Sequence, residues 1–194
     1  TLSNLNLNDL DGLQNCTLLY YVYFKNCKVN DYSKLATVLD LQYLYLYLPP
    51  SMSEADANAQ VNNLGNGLAN ATEMNKLEYF GISGTTDMMD GKYNYAINSV
   101  NDKYTYYSNS KSQLTDIQGL DKLPDNIKQN IKYMCLNNNK FNEITVLQGY
   151  TNIYTLDIMG NSNLTNLNGL EQHNIVFLTA QNCKLNNIEG LLGN

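Results

Sequence analysis

The sequence predicts an α/β solenoid, in which short parallel strands form a curved sheet on the concave side and a thin 3₁₀ or extended path returns along the convex side. Three observations predict it. An apolar frame recurs at a fixed period, and a second apolar series at steps of three follows the frame. The chain is also apolar enough, at 43% of 194 residues, to bury a continuous core along a coil.

The frame is clearest from Leu19 to Val29, where Leu19, Val22, Phe24 and Val29 fill positions one, four, six and eleven and Cys27 fills position nine. It begins again at Leu41 with Leu44 and Leu46, at Leu77 with Phe80 and Ile82, and at Ile131 with Met134, Leu136, Asn139 and Phe141. Ile153, Leu156, Ile158 and Asn161 follow, then Ile175, Leu178, Ala180, Cys183 and Leu185. Leu19 to Leu41, Ile131 to Ile153, and Ile153 to Ile175 are steps of 22 residues. Alternation at positions four and six is the period of a strand with one face buried.

The second series predicts the return path. It comprises Leu7, Leu10, Leu13; Val29, Tyr32, Leu35; Leu114, Ile117, Leu120; Phe141, Ile144, Leu147; Leu164, Leu167, Leu170; and Leu185, Ile188, Leu191. A step of three suits a 3₁₀ or extended segment, whereas an amphipathic α-helix mixes threes and fours. No unit can cover its own leucines, so neighbouring units must stack.

These units resemble the 22-residue leucine-rich repeats of bacterial, internalin-like proteins. Val29-Asn30-Asp31-Tyr32-Ser33-Lys34-Leu35 and Leu114-Thr115-Asp116-Ile117-Gln118-Gly119-Leu120 are similar to that family's IxDIxxL segment. The resemblance implies a leucine-rich-repeat solenoid from a Gram-positive cell-surface or secreted protein that binds host or envelope proteins. It carries the expectation of a single domain over 1–194, a fragment that starts and stops in mid-repeat with a cap at neither end, its signal and anchor lying outside it.

Two intervals break the period. Between Leu41 and Leu77 the excess lies at about 49–70, where Pro49 ends the strand. Ser53 with Asp56 resembles a capping box, and Ala55, Ala57, Val61, Leu64 and Leu68 form a helical stripe, so an inserted helix is expected. Between Leu77 and Ile131 we expect irregular long repeats over about 83–130, divided by a degenerate strand at Tyr104–Tyr107, with a helical turn after Pro124.

Composition excludes several functions. A net charge of −6 gives no basic footprint for nucleic acid. No stretch is long and apolar enough to insert in a membrane, and residues 1–20 lack the pattern of a signal peptide. Cys16, Cys27, Cys135 and Cys183 form no CxxC pair and His173 is the only histidine, so no zinc site, no cofactor and no Cys–His catalysis is expected. Asp56, Asp87, Asp90, Asp102 and Asp157 sit in no calcium loop or carboxylate pair and read as solvated surface. Gly65-Asn66-Gly67 and Gly81 to Gly84 lack the Lys-Ser/Thr of a phosphate loop, and the sequons at Asn70 and Asn163 read as chance. The chain is not expected to be an enzyme.

What remains is binding. Position three projects from the concave side and holds Tyr21, Tyr43, Tyr79, Tyr106, Tyr133, Thr155 and Phe177, while Tyr23 and Tyr45 add a second column at position five. Such an aromatic ribbon predicts a protein partner, as in an adhesin or receptor, with glycan binding or a plain structural spacer as alternatives. Position nine, filled by Cys27, Thr85, Asn139, Asn161 and Cys183, is expected to turn inward and bond the backbone of neighbouring coils.

Overall fold

The structure, a computed structural model, describes residues 1–85 and 111–193. Among the described residues seven strands form one sheet: β1 (Leu2–Ser3), β3 (Tyr21–Lys25), β5 (Tyr43–Tyr47), β6 (Tyr79–Ser83), β7 (Tyr133–Cys135), β8 (Thr155–Asp157) and β9 (Phe177–Thr179), in that order. Every pairing is parallel. A two-stranded sheet joins β2 (Asn6–Leu7) to β4 (Lys28–Val29) beside it. Position four is buried in Val22, Leu44, Phe80, Met134 and Leu156, as strand alternation requires.

The expected strand at Tyr104–Tyr107 lies outside the described residues. Strand β6 pairs directly with β7 through Tyr79↔Tyr133, Phe80↔Met134 and Gly81↔Cys135.

After β1, β3, β7, β8 and β9 the chain turns at position eight in the left-handed region. Asn4, Asn26, Asn138 and Asn182 have φ between 52° and 59°, and Gly160 has φ 78°. Asparagine tolerates this region better than other non-glycine residues because its short amide bonds locally. The turns stack as well, since Asn26 Nδ2 donates to Asn4 Oδ1 at 2.8 Å.

The convex side is thin. Single 3₁₀ turns occupy Leu13–Asn15, Ser33–Thr37, Gln118–Lys122, Thr145–Gly149 and Glu189–Leu191. The exception is α1 (Glu54–Leu68), capped by Ser53, whose Oγ accepts from Asp56 N at 3.1 Å. Ala57, Val61, Leu64 and Leu68 bury one face of this helix, while Gln60 Oε1 accepts from Val29 N at 2.8 Å and from Tyr32 Oη at 2.9 Å. A Cβ at Gly65 would overlap the Gly119 carbonyl, so glycine is what lets α1 sit against the next coil. A second, shorter helix, α2 (Asp125–Asn130), follows Pro124. Among the described residues the core extends from Leu10 to Leu170, and positions toward the ends such as Leu19, Ile175, Leu178 and Leu185 are partly open.

Candidate partner-binding surface

Parallel pairing puts position three in line: Tyr21↔Tyr43↔Tyr79↔Tyr133↔Thr155↔Phe177. The column spans five strand spacings, about 24 Å. At its centre the rings are stacked face to face. Tyr43 and Tyr79 lie 4.3 Å apart at 12°, and Tyr79 and Tyr133 lie 4.4 Å apart at 4°. Tyr21 joins at 5.9 Å, tilted by 43°. These four rings are half-buried, and Phe177 is 37% exposed. Burial in the stack, with the neighbouring Tyr43 and Tyr133 phenols, pushes the Tyr79 phenol well above its usual range, so it stays a neutral donor and acceptor at physiological pH.

Beneath the ribbon, position nine forms a ladder. Asn139 Nδ2 donates to the carbonyls of Ile82 and Leu136, each at 2.9 Å. Asn161 Nδ2 donates to Leu136 at 2.9 Å and Ile158 at 2.8 Å, and Cys183 Sγ reaches the Ile158 carbonyl at 3.2 Å. Each rung ties the position-six carbonyl of one coil to the next. This is a leucine-rich-repeat solenoid.

No protein-family model and no curated protein sequence matches the chain. Among solved structures the solenoid is similar to an internalin, InlF, from Listeria monocytogenes, with 17% identity over 100% of this chain and 58% of that chain and a TM-score of 0.38. It is also similar to internalin C2 of that organism, with 15% identity, 95% and 71% coverage and a TM-score of 0.38. The third is InlJ, also from Listeria monocytogenes, with 14% identity, 96% and 54% coverage and a TM-score of 0.24. The chain spans little more than half the length of the first of these.

The second aromatic column differs from expectation. Tyr23 is 6% exposed, so it belongs to the packing of the solenoid and not to an open surface. Pointing to the concave side does not by itself give exposure, because Tyr23 pairs across with bulky Tyr45. Tyr45 is half-buried, faces Gly81 on the next strand, and has its phenol pushed up by burial and by the Cys135 thiol beyond that glycine. Tyr106 lies outside the described residues.

Asp157 also departs from its reading as solvated surface. It is buried on position five of β8, where Oδ1 accepts from Met159 N at 3.0 Å and Oδ2 accepts from Asn137 Nδ2 at 2.7 Å and Cys135 Sγ at 3.6 Å. Ser83 Oγ donates to Asn137 Oδ1 and extends this network to β6. Desolvation raises the Asp157 carboxyl above the usual carboxylate range.

One member of the ribbon had no signal at position three. Thr155 interrupts the aromatic column, and Tyr154, at position two, lies between its neighbours, 6.3 Å from Tyr133 and 5.7 Å from Phe177 in edge contacts. An aromatic residue beside the only non-aromatic member of the column was the clue available. Along the same lip, Gln42, Asn75, Lys76, Glu78, Asn130 and Lys132 line a polar pocket of about 320 Å³. Its charges are already paired, Lys132 with Glu78 at 2.7 Å and Lys76 with Asp40.

Among the described residues no three His, Cys, Asp or Glu side chains gather to hold a metal, and no helix is long and apolar enough to cross a membrane. His173 is buried and its Nε2 donates to the Leu147 carbonyl at 3.0 Å, which makes it part of the coil packing.

Proposed function

We propose that the chain is a protein-binding module of an extracellular or cell-surface protein, an adhesin or receptor segment, whose interface centres on Tyr21, Tyr43, Tyr79, Tyr133, Tyr154 and Phe177. The observation that carries this reading is the Tyr43–Tyr79–Tyr133 stack, which lies on the side of the sheet opposite the core and spends half-exposed rings there. Tyrosine supplies contact area and a hydrogen-bonding tip with little rotamer entropy to lose.

The stacking geometry also weighs against a glycan. Sugars bind aromatic residues through open ring faces, yet in the stack each face of Tyr79 is covered by a neighbouring ring. A partner meets ring edges and hydroxyls, which suits a peptide surface. The surface setting rests on the likeness of the repeat pattern to the internalin type.

The test is affinity for surface proteins captured by the immobilised chain. Tyr79→Ala should weaken a genuine partner by about 30-fold or more, while Asn161→Ala, which loosens the fold away from the ribbon, should leave affinity within about two-fold. Equal effects of the two variants, or retention of soluble glycans in place of protein, would reject the reading.

A further inference from the structure

The interruption of the aromatic column at Thr155 has the features of a built subsite. Thr155 is 3% exposed, and its Oγ1 is a buried polar atom with no hydrogen-bond partner. Leaving a hydroxyl unpaired is costly, so its retention on a binding face calls for a ligand atom. Its neighbours in the column, Tyr133 and Phe177, stand on β7 and β9, two strand spacings or about 9.6 Å apart. One planar group placed midway would lie about 4.8 Å from each, close to the 4.3 and 4.4 Å at which the three stacked tyrosines already sit. Tyr154 bridges the opening only by edge contacts, and its side chain is 40% exposed and attached at the lip, so rotation about χ1 would clear the site.

The charge around the site selects among planar groups. Asp157 projects from the same strand to the same side, about 6.8 Å along from Thr155, and its oxygens are held by neutral donors alone. Among the described residues no lysine pairs with it, and the chain as a whole carries −6. A guanidinium is planar, stacks on aromatic faces, donates hydrogen bonds and carries the complementary charge.

We propose that the gap over Thr155, walled by Tyr133 and Phe177 and gated by Tyr154, is an arginine-reading subsite: the partner's guanidinium displaces the Tyr154 ring, continues the aromatic stack and donates to Thr155 Oγ1. This rests on the reading of the ribbon as a protein-binding face, and it names the side chain that the face selects.

The probe is N-acetyl-arginine amide, titrated into the whole chain while the Thr155 methyl and Phe177 ring resonances are followed by NMR. A saturable shift is expected, with the isosteric but uncharged N-acetyl-citrulline amide, N-acetyl-lysine amide and N-acetyl-tryptophan amide each about ten-fold weaker. Thr155→Val should weaken the arginine probe about five-fold. Tyr154→Ala should strengthen it about five-fold, because the ring that must move is gone. No saturable shift, equal binding of citrulline, tighter binding of tryptophan, or weaker binding by Tyr154→Ala overturns the proposal. Lys34→Ala, on the convex turn Ser33–Thr37 away from the gap, should leave the probe's affinity within about two-fold. Loss of partner binding on Tyr79→Ala with no effect of Thr155→Val therefore sinks the subsite and leaves the ribbon standing.

Discussion

The rings of Tyr79 and Tyr133 lie face to face, 4.4 Å between centroids and 4° from parallel, although residues 80 to 132 separate them in the chain. The contact exists because β6 and β7 are adjacent strands, and it makes Tyr79 the middle member of a three-ring stack. Removing it deletes two ring contacts at once. Tyr79→Ala should cost about 1–3 kcal/mol, since each aromatic pair contributes about 0.5–1.5 kcal/mol beyond burial, whereas Tyr79→Phe should stay within about 0.5 kcal/mol. Urea unfolding midpoints of the two variants decide it, and an unchanged midpoint for alanine would show that the rings are not stacked in solution.

The asparagine ladder makes a second prediction. Asn161 joins two carbonyls on successive coils, so Asn161→Ala removes the link between them and leaves Leu136 to Asn139 and Ile158 to the weaker Cys183 thiol in a site that excludes water. Asn139 is bound in the same way, and its Oδ1 also accepts from Ser112 Oγ at 2.6 Å. Each alanine variant should lose about 1–3 kcal/mol, read as a lower denaturant midpoint with an unchanged slope.

The seating of α1 depends on backbone contact at Gly65. Alanine is the better helix former by about 1 kcal/mol, and on propensity alone Gly65→Ala should stabilise. The methyl would instead overlap the Gly119 carbonyl, a backbone atom that cannot rotate away. A net loss of about 2 kcal/mol or more is expected. Thermal melting of this variant giving a rise would mean that the helix is not packed on the Gln118–Lys122 turn.

Acid should weaken the fold through His173. Its Nδ1 is buried without a partner, and burial lowers its pKa below the ordinary 6.5. A depressed value means that the folded state favours the neutral ring, so the stabilisation is present above pH 6.5 and is lost as pH falls toward the folded pKa. Asp157, with its pKa raised above 3.8, acts in the opposite sense. Subtracting the stability–pH profile of His173→Gln isolates the histidine: the difference should shrink steadily below pH 6.5, and a flat difference would place the ring in water.

Much of this protein was legible in its residue order. The 22-residue spacing of Leu19 and Leu41 defines the coil, because a unit that cannot bury its own leucines is stable only when stacked in register. The repeat frame put Tyr21, Tyr43, Tyr79 and Tyr133 at position three, on the side that strand parity turns away from the core, and put Asn139 and Asn161 at position nine. The α1 segment announced itself through Pro49, Ser53 and its apolar stripe.

Tertiary structure decided the rest, because parity assigns a side of the sheet and not what lies against that side. Tyr23 and Asp157 point away from the core and are buried all the same. Tyr154 completes the ribbon from a position the period does not mark, and it does so because the strand beside Tyr133 presents threonine there. The direct pairing of Tyr79 with Tyr133 across an irregular interval was likewise a matter of which strands meet. Strand adjacency is set by the free energy of closing and packing the whole coil, and local residue preferences over 83–130 do not encode it.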